Sequence, residues 1–167
     1  TLRHLLSFTS GLSPDVACTS SPTTSLAECV DEIRDAAIKS EMGTTFNYGS
    51  THLHVAARMA EVVTGKTWAT LFEENVKSPL GLPADVAYFT FPKNSTGTVN
   101  PLISGGLRAS MDEYAKILKV IFHRGVGLGV PDALFTAQGI EPFPTVLVKT
   151  SPAKTIGVPF RYGLTAW

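Results

Sequence analysis

Tyr48 and Ser50 lie two residues apart in the stretch FNYGSTH, where an amphipathic helix is predicted to begin. A tyrosine serves as a general base only where nearby cations stabilise its phenolate. No lysine lies close to Tyr48 in the sequence. From residue chemistry alone, Tyr48 is therefore interpreted as an aromatic side chain packed before a helix, with Ser50 as the N-cap of that helix.

A second candidate for acyl chemistry is the S-x-x-K stretch SPAK, Ser151 to Lys154. On a helix, this spacing places a lysine amine one turn from a serine hydroxyl, where the neutral amine takes the serine proton. The surrounding residues show no helical pattern and do not promise the apolar burial that lowers a lysine pKa. We therefore interpret this stretch as a surface loop.

The histidines do not form a metal-binding pattern. His52 and His54 are two residues apart and are expected on different sides of a helix, whereas His4 and His123 are isolated. No carboxylate stands at ligand spacing with them, so no metal site is predicted. A G-x-S-x-G elbow and a glycine-rich phosphate loop are also missing from the sequence.

Composition excludes some partners. The 14 basic and 14 acidic residues cancel, so the sequence has no electrostatic footprint for nucleic acid or an anionic membrane. No apolar run approaches the roughly 20 residues of a membrane-spanning helix. The stretch Asn94–Thr96 is a glycosylation sequon that a eukaryotic secretory setting would make usable.

Cys18 and Cys29 leave two alternatives open. A disulfide between them would close a short loop, whereas two independent cysteines would act as small buried apolar side chains. From the sequence alone, we weigh these alternatives equally.

The elements that must position these residues are mainly helical. Capping boxes at Ser25–Glu28 and Ser110–Glu113 predict the starts of two helices. A helix after Tyr48 is predicted to end before Gly65, and another to run from near Thr67 to Pro79. The predicted apolar faces comprise Leu2, Leu5 and Leu6; Leu26, Cys29, Val30, Ile33 and Ala37; Leu53, Ala56, Ala57, Ala60 and Val63; and Tyr114, Ile117, Leu118, Ile121 and Phe122. A short strand is predicted near VAYFTF, a short helix from Pro131 to near Gly139, and strands at Thr145–Lys149 and Pro159–Trp167.

Three stretches in order resemble the serine beta-lactamase-like hydrolases, a family of class C beta-lactamases, D-Ala-D-Ala carboxypeptidases and related esterases. They are TLRHLLSFTSGL, GTTFNYGSTHLHVAARMAEVVTGKTWATLFEENVKSPLGL and NPLISGGLRASMDEYAKILKVIF. The resemblance implies an α+β fold of the α/β class, of the beta-lactamase/penicillin-binding-protein type. We expect one partial domain over residues 1–167, with a mainly helical region at 1–139 and a strand-forming region at 140–167.

The resemblance also implies roles for two residues. Tyr48 matches the tyrosine of the family's Tyr-x-Asn motif, which moves protons on and off the nucleophilic serine and the leaving group. Ser50 stands where the family has asparagine, whose amide hydrogen-bonds the catalytic lysine and the substrate. Because a hydroxyl is shorter and lacks a two-donor amide, this departure favours ester or other acyl hydrolysis over beta-lactam or peptide turnover.

The family's S-x-x-K and third motif are expected to lie before Thr1 and after Trp167. We therefore expect the 167 residues alone to be inactive, and the whole protein to be a serine acyl hydrolase acting on a small acyl substrate without a metal or organic cofactor. The alternative is a non-catalytic family member that binds a ligand or serves as a structural module. The resemblance further implies an exported protein, periplasmic or extracellular. The sequence leaves the oligomeric state open.

Overall fold

A computed structural model of the chain describes residues 1–90, 98–123, 125 and 128. Short helices dominate these residues, and two short strands form one antiparallel pair. The elements are α1 (Leu2–Leu6), a 3₁₀ turn (Ala17–Ser20), α2 (Leu26–Asp35), α3 (Ser50–Thr64), α4 (Trp68–Phe72), a π-helical turn (Glu73–Lys77), β1 (Ala87–Tyr88), β2 (Leu107–Arg108) and α5 (Met111–Phe122). In the strand pair, Ala87 lies opposite Arg108 and Tyr88 opposite Leu107.

The predicted helix ends are confirmed where the signal is local. In α2, the Glu28 N–H donates to Ser25 Oγ at 3.2 Å, and the Ser25 N–H donates back to the Glu28 carboxylate at 2.8 Å. The same reciprocal box opens α5 at Ser110 and Glu113. Gly65 ends α3 with a φ of 69°, a left-handed conformation that glycine adopts without steric cost.

The buried apolar residues form two clusters. In the first, Cys18 packs with Cys29 and Ile33 of α2, and a disulfide joins the two cysteines with their Cα atoms 5.3 Å apart. In the second, Phe72 of α4 packs with Leu82 and Val86. The first cluster therefore anchors the loop before α2 to that helix, and the second anchors the end of α4 beside the strand pair.

The predicted apolar face of α3 is fully buried only at Ala57, and its other members are half-buried or, at Val63, exposed. The buried residues of this helix are Thr51, His52, His54 and Ala57, whereas Val63 is 84% exposed. The amino-terminal half of α3 packs against α1 and the 3₁₀ turn, and polar side chains with hydrogen-bond partners fill that contact. Hydrophobic periodicity does not detect a buried face of this kind.

The apolar face predicted for α5 is present but little covered by the described part of the chain. No residue of α5 is buried there, and Phe122 is 83% exposed. Ile117 packs partly against the second cluster. The sequon, the stretch SPAK, the short helix predicted from Pro131 and the two late strands all lie outside the described residues. Among the described helices, none is long and apolar enough to cross a bilayer.

Candidate active site

Two distant stretches of backbone are joined beneath Tyr48. The Asn47 N–H donates to the Phe8 carbonyl at 2.8 Å, and the Gly43 N–H donates to the Thr9 carbonyl at 2.7 Å. These bonds fix the loop before α3 to the segment after α1. The position of Tyr48 is therefore set by residues about forty positions away in the sequence.

Tyr48 belongs to an aromatic group that Phe8 centres. The ring of Phe8 is 1% exposed, and its centroid lies 4.9 Å from that of Tyr48. Phe46 lies at the edge of Phe8 at 5.9 Å and stacks with Tyr48 at 6.5 Å. Tyr48 itself is 58% exposed. The structure thus places Tyr48 at the surface on a buried aromatic base, and the interpretation of Tyr48 as a simply packed aromatic describes only its inner contact.

The backbone conformation of Phe8, the central ring of this aromatic group, is unusual. Its φ is +56°, in the left-handed region that bulky residues rarely occupy. The Phe8 N–H donates to the Leu5 carbonyl at 3.1 Å, and the Thr9 N–H donates to the His4 carbonyl at 2.8 Å. These bonds terminate α1 and turn the Phe8 ring inward, under Tyr48.

The prediction that Ser50 caps α3 is wrong, because Gly49 occupies the N-cap position. A Cβ atom at Gly49 would lie 2.1 Å from the Pro14 carbonyl oxygen, so the contact leaves no room for a side chain. The Thr51 N–H donates to that same oxygen at 3.2 Å, and the Ser50 N–H faces an Asp15 carboxylate oxygen at 3.5 Å. A distant segment therefore takes over the capping of α3, and the Ser50 side chain is not used for it.

The Ser50 hydroxyl bonds instead to Ser104. Ser104 Oγ donates to Ser50 Oγ at 2.9 Å across 54 residues of sequence. Ser104 lies in the turn before β2, within the stretch SGGLRAS. Sequence reasoning assigned no role to Ser104. Its place in a stretch already singled out was a signal, but a hydroxyl pair so far apart along the chain has no local pattern.

His52 supports the site from below. It is fully buried, its Nδ1 lies 2.8 Å from Ser10 Oγ, and its ring meets Phe8 edge-on at 5.2 Å. Burial lowers the pKa of His52, and a backbone hydrogen bond at Asn47 and the charge of Asp15 oppose this only in part. His52 is therefore neutral near pH 7, as a buried histidine beside an aromatic ring should be.

His54 fixes the first turn of α3. Its Nδ1 lies 3.1 Å from the Ser50 carbonyl oxygen, which can only accept, so Nδ1 carries the proton. Burial lowers the pKa of His54 as well, with opposing backbone hydrogen bonds at Ser50 and Thr19. His52 bonds to Ser10 after α1 and His54 to the first residue of its own helix, and both rings are buried. In the ranges 1–90 and 98–123, no group of three or more His, Cys, Asp or Glu side chains is arranged to hold a metal ion.

A groove of about 440 Å³ opens beside Ser104, between the strand pair and α5. Apolar and hydroxyl-bearing side chains share its lining: Tyr88, Ile103, Ser104, Leu107, Ser110, Met111 and Tyr114. Burial first, and the neighbouring Tyr114 second, raise the pKa of Tyr88, which keeps that phenol neutral at physiological pH. The groove is therefore an uncharged recess next to the Ser50–Ser104 pair.

Comparisons with known proteins place these features in context. The family model described as beta-lactamase matches residues 1–160. Penicillin-binding protein 4 of Amycolatopsis lactamdurans is 34% identical over 83 residues, which cover 49% of this chain and 22% of that protein. Both similarities agree with the resemblance seen in the three sequence stretches.

Solved structures show the same fold. A candidate beta-lactamase from Bacteroides dorei DSM 17855 superposes with a TM-score of 0.78 at 29% identity, covering 98% of this chain and 51% of that one. An octameric penicillin-binding protein homologue from Pyrococcus abyssi superposes with a TM-score of 0.70 at 19% identity, covering 97% and 42%. The predicted fold is therefore confirmed. This chain spans about half the length of the first of these structures.

Proposed function

Because this chain belongs to the beta-lactamase family of serine hydrolases, we propose that the protein containing it is a serine acyl hydrolase that works through an acyl-enzyme. Its substrate is a small ester, beta-lactam or D-amino-acid peptide, and this chain supplies one wall of the catalytic cleft with Tyr48 and Ser50. We propose that the nucleophilic serine and its lysine come from outside residues 1–167, because the sequence around its one S-x-x-K, Ser151–Lys154, lacks a helical pattern.

One observation carries the proposal: the three stretches that resemble the family converge at one place. Phe8, from the first stretch, forms the base on which Tyr48, from the second, is exposed. Ser104, from the third, bonds to Ser50 two residues beyond Tyr48. Proton transfer at a cleft needs an accessible phenol held in place by its surroundings, and Tyr48 on Phe8 meets that need.

In the proposed reaction, the serine oxygen attacks the substrate carbonyl and forms a tetrahedral oxyanion, which backbone N–H groups stabilise. The serine proton passes through the lysine and Tyr48 to the leaving group as the bond to that group breaks. Water then attacks the acyl-enzyme, and the proton path runs in reverse to restore the serine hydroxyl. Tyr48 is exposed enough to meet a substrate at its phenol.

Ser50 narrows the substrate class. A serine hydroxyl has one donor hydrogen, whereas the asparagine of the family motif has two on its amide nitrogen. Ser50 Oγ also already accepts a hydrogen bond from Ser104. A substrate amide therefore finds fewer partners here than it would at asparagine, and we propose that esters are turned over faster than beta-lactams or peptides.

A serine-reactive fluorophosphonate probe tests the proposal on the full-length protein and on residues 1–167 alone. We expect stoichiometric labelling of the full-length protein and none of the shorter chain. Labelling of residues 1–167, with the adduct at Ser151, would overturn the assignment of the nucleophile. A full-length protein that stays unlabelled would support the non-catalytic alternative.

Two further parts of the proposal concern organisation and location. Residues 1–167 form one partial domain, and the protein is exported to the periplasm or the cell exterior. The Cys18–Cys29 disulfide supports export, because such bonds persist mainly in oxidising compartments. A fractionation experiment with alkylation of free thiols tests both the location and the oxidation state.

A further inference from the structure

Both hydroxyls of the Ser50–Ser104 pair are attached to rigid backbone. On the Ser104 side, the Leu102 N–H donates to the Phe89 carbonyl at 2.9 Å, and the Phe89 N–H donates to Gly106 at 3.0 Å. A Cβ atom at Gly106 would lie 2.2 Å from the Phe89 carbonyl oxygen, so the turn packs closely against the backbone just after β1. On the Ser50 side, His54 Nδ1 forms a hydrogen bond with the Ser50 carbonyl oxygen at 3.1 Å. The backbone that carries each hydroxyl is therefore already in place when the pair forms.

The direction of the Ser104–Ser50 hydrogen bond determines whether the Ser50 hydroxyl is available to a substrate as a donor. Ser104 donates and Ser50 Oγ accepts. A hydroxyl that accepts one bond keeps its own hydrogen for another acceptor, and accepting strengthens it as a donor. Because the Pro14 carbonyl and the Asp15 carboxylate accept the first N–H groups of α3, the helix does not require Ser50 Oγ as a capping acceptor.

We propose that Ser104 is a positioning residue for Ser50: it holds Ser50 Oγ as an acceptor and so directs the Ser50 hydroxyl hydrogen into the cleft, toward an acceptor oxygen of the acyl substrate. This inference rests on the proposed function. It gives the serine at the family's asparagine position a built-in partner from the turn before β2. The two hydroxyls together orient a hydrogen-bond donor toward the substrate, as the longer asparagine amide of the family motif would do alone.

A double-mutant cycle on the full-length protein tests the inference, with Ser50→Ala, Ser104→Ala and the double variant. The readout is kcat/KM for a short-chain nitrophenyl ester. We expect Ser104→Ala to lose about three- to tenfold, the range of one hydrogen bond. In the Ser50→Ala background, the same change should cost nothing further, because Ser104 then has no hydroxyl to hold.

Two controls separate positioning from folding. Ser104→Thr keeps the hydroxyl at an exposed position and should restore most of the activity. Ser78→Ala removes another exposed serine hydroxyl, one at the end of the π-helical turn, and should leave kcat/KM unchanged. Urea unfolding of every variant reports any loss of stability that accompanies the loss of rate.

The outcomes distinguish the inference from the proposed function. An active wild type whose two single losses multiply in the double variant would overturn the role of Ser104 and leave the hydrolase proposal standing. A Ser104→Thr variant as slow as Ser104→Ala would also overturn it. A wild type that is unlabelled by the fluorophosphonate and inactive on the ester would overturn both.

Discussion

The ring of Phe8 lies 4.9 Å from the ring of Tyr48, so a fully buried aromatic supports an exposed one across 40 positions of sequence. The backbone hydrogen bond from Asn47 to the Phe8 carbonyl fixes the same pair of segments. The exposed phenol is thus placed by the core and not by its own neighbours.

Removing the buried ring of Phe8 should destabilise the part of the fold that supports Tyr48. Phe8→Ala deletes a side chain that is 1% exposed, and such deletions cost about 3 to 5 kcal/mol of unfolding free energy. Urea denaturation followed by circular dichroism measures the change. The control is Val63→Ala at a position that is 84% exposed, which should change the unfolding free energy by less than about 0.5 kcal/mol. Equal losses in the two variants would contradict a core role for Phe8.

Removing only the phenol oxygen should separate chemistry from packing. Tyr48→Phe keeps the ring on Phe8 and should leave the unfolding midpoint unchanged, while kcat of the full-length protein falls by about a hundredfold or more. Ester hydrolysis at saturating substrate measures the effect. Tyr114→Phe, at a part-exposed tyrosine of α5, serves as the matched control. If both tyrosine variants keep wild-type kcat, Tyr48 is not a proton-transfer residue.

A side chain at the N-cap of α3 should be poorly tolerated. Gly49→Ala places a Cβ atom against the Pro14 carbonyl, which is backbone and cannot rotate away, so we expect a loss of about 2 kcal/mol or more. Gly105→Ala is the matched control, because no atom lies within 4 Å of a Cβ atom there. Thermal unfolding of both variants makes the comparison. A Gly49→Ala protein as stable as wild type would show that the Pro14 contact is not formed.

Stability should fall in mild acid because of the two buried histidines. Burial lowers the pKa of His52 and His54 in the folded state, so below about pH 6.5 the unfolded chain binds protons that the folded chain resists. The free energy of unfolding should therefore be constant above that pH and decrease as the pH falls through it toward the folded-state values. Urea titrations at several pH values between neutral and mildly acidic measure the decrease.

A variant identifies the histidine contribution to this acid response. His52→Asn keeps a polar atom for Ser10 but cannot take up a proton, so it should flatten the pH dependence even if it lowers stability overall. Stability that rises on acidification, or a slope that His52→Asn leaves unchanged, would contradict the assignment.

Reduction of the disulfide should weaken the first core cluster. The bond joins residues 11 positions apart, and loops of this size contribute about 2 to 3 kcal/mol. Adding a reductant should lower the unfolding midpoint of the wild type and leave a Cys18→Ser, Cys29→Ser double variant unaffected. Mass measurement after alkylation, with and without reductant, verifies the state of the thiols. A wild-type unfolding midpoint that does not change when reductant is added would contradict this stabilising role.

The sequence by itself determined the features whose causes are local. Ser25 and Glu28, like Ser110 and Glu113, bond within a few residues of each other, so the starts of α2 and α5 were predictable from four-residue patterns. The order of three stretches was also enough to identify the family and hence the fold. It likewise singled out Tyr48 and Ser50, whose roles stay proposals.

The tertiary structure decided every feature that depends on distant partners. The sequence left Cys18 and Cys29 as either bonded or independent, because only the packing of the 3₁₀ turn against α2 brings the sulfurs together. The buried face of α3 is polar, because Ser10 and the backbone supply hydrogen-bond partners to its histidines that no periodicity in the sequence reveals. Gly49, which the Pro14 carbonyl approaches too closely for any side chain, is the N-cap of α3, and Ser50 pairs with Ser104 across 54 residues of sequence. Local patterns encode hydrogen bonds between near neighbours, whereas long-range contacts form only when the chain has folded.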